Sequence, residues 1–435
     1  MSIFKAYDIR GTYPDQLNED MAYRIGRAYV AFVGVGKVMV GRDCRLSSDG
    51  LFRSLAKGLM EQGADVIDVG LCTSPMFYFG LDKDAGGIMI TASHNPASYN
   101  GFKLLRPGVI PISGSNGIPD IQAIVEKRTF PEPTRKGTMN KEAIQKRYHD
   151  FLLKKINTQF SFNVAIDCAN AMSVLDLPLF KKTGCKVKAL FNTLDGRFPN
   201  HEADPLKAEN TVKLVASMKG QDLGITFDGD ADRVIFIDEK GNRVPADLIT
   251  ALLGQRILLR NKGEKVLYEV RSSRSVPEVI KESGGIPILT RAGHSFIKQN
   301  MRKENAIFGG ELSGHYFFRE LSYTDNAAYA SLQVLLAMKE TGKPMSELIK
   351  PLHRYYASPE INFTVEDKDA KMRLVKARFP KATSFEVDGV SLVSDDWWCN
   401  VRPSNTEPLL RLCVEARTTE KRDEMVRKIS ALLSS

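Results

Sequence analysis

KVMVGRD (37–43), SSDGLFRSLAKGLMEQG (47–63), ADVIDVG (64–70) and GGIMI (86–90) follow one another near the start of the chain. Three of these are short apolar runs of strand character. The segment between the first two carries Leu51, Leu55 and Leu59 at the spacing of one helix face. Strand, helix, glycine and strand in that order make a βαβ unit, built on a largely parallel sheet. The pattern returns as NVAIDCAN (163–170), VLDLPLFKKTG (174–184), CKVKALF (185–191) and DLGITF (222–227). It returns again as KVLYEV (265–270), SVPEVIKESGG (275–285), IPILT (286–290) and AIFGG (306–310). From about residue 358 the character changes to the strand-like runs EINFTV, VSLVS and LLRLCVEA with a closing helical stretch. The expected fold is therefore α/β: three topologically similar α/β domains with mostly parallel mixed sheets, plus a smaller C-terminal α+β domain. The expected boundaries are 1–150, 151–250, 251–357 and 358–435.

Composition agrees with a multidomain globular chain. The 435 residues are 43% hydrophobic and 26% charged, with 33 Gly and 20 Pro, which excludes a collagen-like, coiled-coil or disordered polymer. No apolar run approaches the roughly 20 residues that span a bilayer. The opening MSIFKAYDIRG has charges where a signal peptide needs apolar residues, so a cytoplasmic protein with no membrane partner is expected. Six cysteines stand without a C-x-x-C pair, as buried or idle thiols. The net charge of +9 is spread among acidic residues rather than gathered into a basic arm, which points to small anionic ligands and away from nucleic acid.

Each repeat's last strand runs into a polar loop: TASHNP (91–96), DGDADR (228–233) and GELSGH (310–315). Ligands of open α/β sheets sit beyond the carboxyl ends of the strands, so the three loops are expected to share one central cleft. In DGDADR, Asp228, Asp230 and Asp232 offer three hard oxygen ligands, suited to Mg²⁺. An EF-hand is excluded because Arg233 occupies the position that needs Gly and the flanks read as strands. In TASHNP, Ser93 and His94 are adjacent; in an extended segment they face opposite ways, which argues against a nucleophile–base pair. A phosphorylated Ser93 would instead add an oxygen ligand to the metal. RPSNTEP (402–408) has the makings of an anion cradle: the fork of Arg402, the hydroxyls of Ser404 and Thr406, and the amide of Asn405. Glu311, Ser313 and His315 suit sugar hydroxyls, and RAGHSFIK (291–298) contributes His294.

In the order and spacing of these motifs the chain resembles the α-D-phosphohexomutase family, its phosphomannomutase/phosphoglucomutase branch above all, along essentially its whole length. The resemblance implies interconversion of hexose 1-phosphate and hexose 6-phosphate (mannose, glucose or both) through a phosphoserine at Ser93 and a hexose 1,6-bisphosphate. It implies one Mg²⁺ per chain on Asp228, Asp230, Asp232 and Ser93. Arg10, Lys103, Arg233 and His294 would act near the reacting groups. Tyr7, Glu311, Ser313, His315, Arg402, Ser404, Asn405 and Thr406 would bind the phosphosugar. Two positions depart from the commonest pattern: Arg271 where many relatives have Lys, and Leu312 where Met is frequent. Asn405 and Leu312 argue against the amino-sugar branch, phosphoglucosamine mutase. Two other classes compete: a haloacid-dehalogenase-type phosphotransferase using an Asp nucleophile, against which Asp232 stands where Thr or Val is needed, and a non-catalytic basic sugar- or nucleic-acid-binding protein. Monomer and dimer are left open.

Overall fold

The computed structural model describes residues 2–404 and 409–435. Packing divides the chain into two units, Met1–Val244 with Ser313–Met345 and Pro245–Leu312 with Ser346–Ser435. Ser313–Met345, which the sequence assigns to the third domain, thus packs with the first unit, and GELSGH is split between Leu312 and Ser313.

The first sheet comprises β1 (Ile9–Thr12), β2 (Lys37–Arg42), β3 (Asp65–Leu71), β4 (Gly86–Ile90) and β5 (Tyr99–Arg106), in the order β1-β5-β4-β2-β3, with Met139–Lys141 at the far edge. The apolar runs of the first repeat are β2, β3 and β4, and they pair in parallel. β5 and β1 join antiparallel to them, which makes the sheet mixed. This arrangement builds a site. The carboxyl ends of β2 and β4 lie side by side, while the antiparallel β5 sets Lys103 opposite Met89 and β1 sets Arg10 opposite Gly101.

Helices α1 (Glu19–Val33) and α2 (Ser48–Glu61) bury Ala22, Ile25, Leu51, Leu55 and Leu59 in the core with Val38, Val40, Ile88 and Ile90. Asn18 caps α1 by accepting from the Met21 N–H, and Gly34 ends it in the left-handed region at φ 71°. The two helices touch through glycines: a β-carbon at Gly58 would stand 2.1 Å from the carbonyl oxygen of Tyr23, and one at Gly26 would stand 2.5 Å from that of Leu55.

In the second repeat, Asn163–Asp167 lies between Lys186–Leu190 and Leu223–Phe227, parallel to both. Val234–Ile237 returns antiparallel with Phe227 opposite Val234, so 228–233 is the turn of a tight hairpin. In the second unit, Lys265–Glu269 pairs in parallel with Ile286–Thr290 and Phe308–Gly310. The C-terminal domain is an antiparallel sheet carrying the helices Lys368–Arg378 and Thr419–Ser434 over a core of Leu392, Trp397, Val401, Leu412, Met425 and Ile429. All six cysteines are free thiols, four buried and Cys44 and Cys413 half-buried. Among the described residues no helix is long and apolar enough to cross a membrane.

Gly58→Ala tests the helix contact. Propensity alone would favour Ala by up to about 1 kcal/mol, but the added carbon must push backbone against backbone. A net loss of about 1–3 kcal/mol is expected in denaturant unfolding; an unchanged or raised midpoint would show that the helices separate freely.

Candidate active site

Ser93 lies just past β4 and is 2% exposed, with φ at 50° in the left-handed region. This corrects the expectation of an extended segment there. The turn brings Ser93 Oγ to 3.3 Å from His94 Nδ1 rather than sending the two side chains apart. A nucleophile–base pair is disfavoured for a different reason: burial and the charges of Arg233 and Arg10 push the His94 imidazolium down to about 2, leaving a very weak base. Ser93 Oγ instead donates to Asp228 Oδ2 at 2.7 Å, and the Ser93 N–H donates to Thr91 Oγ1 at 2.9 Å.

The brace of this loop is Arg45, which belongs to none of the polar loop motifs. Its side chain is fully buried and its fork donates to the carbonyls of Ser93 (2.8 Å), Asn95 (2.7 Å), Pro96 (2.6 Å) and Tyr99 (3.0 Å), while Nε pairs with Asp43 at 3.0 Å. Asp43 and Arg45 follow β2, so the parallel β2–β4 pairing sets them beside the serine loop. The signal in the sequence is RDCR at the end of a repeat's first strand.

Asp228 and Asp230 have no exposure and Asp232 has 2%, and one oxygen from each lies within 4.8 Å of the others. The hairpin is tight enough that Asp228 Oδ1 accepts from the N–H groups of Asp232 (3.1 Å) and Arg233 (3.2 Å). Gly229 is required by closeness, since a β-carbon there would lie 2.3 Å from the Ser93 carbonyl oxygen. Lys103 Nζ donates to Asp232 Oδ2 at 2.6 Å and also to Asp230, which accepts from the Ser74 hydroxyl as well. Burial and the charges of Asp232 and Asp230 push the Asp228 carboxyl well up. Burial acts the same way on Asp232, but Lys103 and His315 outweigh it and hold that carboxyl well below its usual range. One buried oxygen, Asp230 Oδ1, has no hydrogen-bond partner among the described residues. Three converging carboxylates and an unsatisfied buried oxygen fit a small divalent cation with oxygen ligands.

Arg10 Nη1 donates to Asn95 Oδ1 at 2.6 Å and Nη2 pairs with Asp8 at 2.5 Å, which ties β1 to the serine loop. Arg233 Nε lies 3.7 Å from Asp228 Oδ2 and donates to His315 Nε2 at 3.4 Å. His315, read from the sequence as a sugar ligand, is buried against the acidic hairpin. Its Nε2 is 3.1 Å from Asp232 Oδ1 and its Nδ1 is 2.8 Å from Ser313 Oγ. Tyr7, two residues before β1, is half-buried. The first unit therefore gathers Ser93, Lys103, Arg10, Arg233, the three aspartates, Ser313 and His315.

The second unit holds the rest. Glu311 is buried and its Oε1 accepts from the Gly293 N–H at 2.9 Å, at the start of the helix that opens with His294. Arg271 makes a two-pronged pair with the fully buried Glu269 (2.9 and 2.7 Å), which also accepts from the Leu312 N–H at 3.0 Å. Arg402, on Trp397–Pro403, donates from Nη2 to Glu360 Oε2 at 2.8 Å, and the Ser404 N–H donates to the Leu409 carbonyl at 2.8 Å. Asn405 and Thr406 lie outside the described residues. Glu269 and Glu360, the acidic partners of two site arginines, were not legible as site residues because they belong to no loop motif.

The chain matches the family models described as Phosphoglucomutase/phosphomannomutase, alpha/beta/alpha domain I over 1–132, domain II over 142–241, domain III over 245–355 and C-terminal domain over 360–432. It belongs to the phosphoglucomutase/phosphomannomutase family. It is 38% identical over 96% of its length to a phosphomannomutase of Escherichia coli, 95% of which is covered. It is 37% identical over its full length to a phosphoglucomutase of Neisseria gonorrhoeae, 97% of which is covered. The crystal structure of a phosphoglucomutase/phosphomannomutase family protein from Burkholderia thailandensis superposes with a TM-score of 0.92 at 32% identity, covering 99% of this chain and 96% of that one.

Gly229→Ala should force the acidic hairpin from the serine loop and weaken Mg²⁺ binding by about 10–100-fold in calorimetric titration; an unchanged affinity would mean that the close approach is incidental. The hairpin's other neighbour, Ala203, would lie 3.6 Å from that same carbon, on a loop pinned by His201, whose Nε2 sits 3.2 Å from Asp167. Burial lowers the His201 pKa, but the hydrogen bond and charge of Asp167 outweigh it, for a net rise above 6.5. The pair's stabilisation is full below the unfolded value and fades as pH climbs through the folded one. His201→Gln should flatten the decline in unfolding free energy above pH 6.5; a parallel decline in both proteins would remove His201 as its source.

Proposed function

We propose that this chain is a phosphohexomutase that interconverts the 1- and 6-phosphates of mannose, glucose or both through a phosphorylated Ser93 and a hexose 1,6-bisphosphate. The observation that carries the reading is the 2.7 Å contact between Ser93 Oγ and Asp228, at the mouth of a buried triple-aspartate hairpin. Asp228, Asp230 and Asp232 would hold one Mg²⁺, with the Ser93 phosphate as a further oxygen ligand. That ion would supply charge neutralisation for phosphoryl transfer.

The chain's own groups do the remainder. Ser93 is held by Thr91 and by the Arg45 fork, so its oxygen is fixed before substrate arrives. Burial opposes the charge on Lys103, but Asp230 and Asp232 outweigh it and keep the amine strongly protonated, which suits it to stabilise the charge of the moving phosphoryl group. Arg10, bonded to Asn95 of the serine loop, and Arg233, beside Asp228, would add further positive charge. Lys103 and His294 are the candidates for moving the sugar hydroxyl's proton. Glu311 and Ser313 would hold hydroxyls common to mannose and glucose. Arg402, Ser404, Asn405 and Thr406 would grip the phosphate that is not reacting, and that remote binding energy would orient the sugar. Tyr7 and His315 would also bind the phosphosugar.

An Asp nucleophile of the dehalogenase kind is disfavoured. Asp228, the residue that would attack, has its carboxyl pushed well up by burial and both oxygens engaged by Ser93, Asp232 and Arg233. The reading also carries a cytoplasmic enzyme of small phosphosugars with no nucleic-acid or membrane partner.

Ser93→Ala should lower kcat with mannose and glucose 1-phosphates by about 10³-fold or more while leaving KM within severalfold. Coupled assays on mannose, glucose and glucosamine 1-phosphates, with hexose 1,6-bisphosphate present, check this and rank the sugars. Near-normal turnover in the variant, or a hydroxylamine-labile phosphoenzyme, would overturn the serine assignment.

A further inference from the structure

Glu360 stands just before the strand Ile361–Thr364, at the edge of the C-terminal sheet, and no motif includes it. Each of its oxygens is taken by a different guanidinium: Oε2 by Arg402 Nη2 at 2.8 Å and Oε1 by Arg411 Nη1 at 3.0 Å. The strand register explains the need. Arg402 and Arg411 are directly opposed across Trp397–Pro403 and Leu409–Ala416, and two like charges in that position repel unless an anion lies between them. A carboxylate bridging two guanidiniums by separate oxygens has the geometry with which a phosphate would bridge them.

Two asymmetries distinguish the partners. The Arg402 side chain is 7% exposed and that of Glu360 is 29% exposed, so the arginine is buried while the glutamate borders water, the side from which an anion would reach the pair. Arg402 also keeps a buried Nε–H with no acceptor among the described residues, so the carboxylate leaves its fork incompletely satisfied. A three-oxygen anion would satisfy more of those donors than Glu360 does.

We propose that Glu360 is an internal stand-in for the substrate's phosphate: it occupies Arg402 and Arg411 in the free enzyme, and the incoming phosphate displaces it and takes Arg411 as a second guanidinium. This rests on the reading of the Arg402 loop as the phosphate cradle. Glu360 is a positioning residue that keeps Arg402 aligned between turnovers and weakens anion binding by competing for it. Its effect is confined to affinity, since it touches no reacting atom.

The test is calorimetric titration of inorganic phosphate into the full-length protein without added Mg²⁺, comparing wild type, Glu360→Gln, Arg402→Gln and the double variant. Glu360→Gln should bind phosphate about tenfold more tightly, with the gain absent in the double variant. In turnover the same variant should lower KM for the hexose 1-phosphate with kcat changed much less, and Glu360→Asp should restore wild-type values. Unchanged or weaker phosphate binding in Glu360→Gln, with Arg402→Gln still losing affinity, overturns the stand-in and leaves the cradle intact. Arg402→Gln binding phosphate as wild type does overturns the cradle and the stand-in together. Glu360→Ala gives the same comparison should the amide fail to fold.

Discussion

Three aspartates with almost no exposure crowd a six-residue turn, and the first unit places cations against that turn. Like carboxylates within 4.8 Å of one another in a poorly hydrated site repel strongly, and they stay ionised only with compensating charge. Lys103 supplies one cation inside the cluster and Arg233 another at its edge. The three carboxyls respond unequally. Asp232 is driven down in spite of its burial by Lys103 and His315, while Asp228 is driven up and shares its Oδ2 with the serine hydroxyl. A buried ion pair of this kind contributes little net stability, because desolvation cancels much of the attraction. Its retention is better understood as a requirement of the site than of the fold.

Meeting that requirement dictates backbone geometry far from the aspartates. Lys103 reaches them because β5 runs antiparallel to β4, which sets it beside Met89 near the end of the strand that leads to Ser93. Ser93 reaches Asp228 only because Gly229 lets the hairpin touch the serine carbonyl, and because Arg45 gathers four carbonyls of the loop into one fork. Each of these is a backbone-level constraint. A parallel pair supplies the platform, an antiparallel neighbour supplies the cation, and a glycine removes the one carbon that would separate two loops.

The repeated strands and the loops that follow them were legible because strands buried on both faces, GGIMI and LGITF among them, write continuous apolar runs, and because the chemistry-bearing loops sit at the strand ends. GGIMI, DLGITF and IPILT each fall on a strand within a residue. The aspartate triad was legible because carboxylates alternating through one short turn repel one another unless a cation holds them together. Arg45 was signalled only by its place in RDCR at the end of a repeat's first strand, since a buried arginine bonding to carbonyls otherwise looks in sequence like any surface arginine. The conformation at Ser93 was hidden for a related reason: a left-handed serine is selected by Thr91 and Arg45 around it, not by its own propensity. The contact of His315 with Asp232 was hidden because the two lie 83 residues apart, on loops of different repeats.

The cations assigned to phosphate chemistry share one further property. Lys103 is paired with Asp230 and Asp232, Arg10 with Asp8, and Arg402 with Glu360. A cluster of bare cations would bind any cellular phosphate tightly. Uniformly strong binding lowers KM without raising kcat. A carboxylate partner keeps each cation oriented while lowering the net gain on binding an anion. Because each of these cations already has a carboxylate beside it, none is left without an opposite charge when no phosphate is bound.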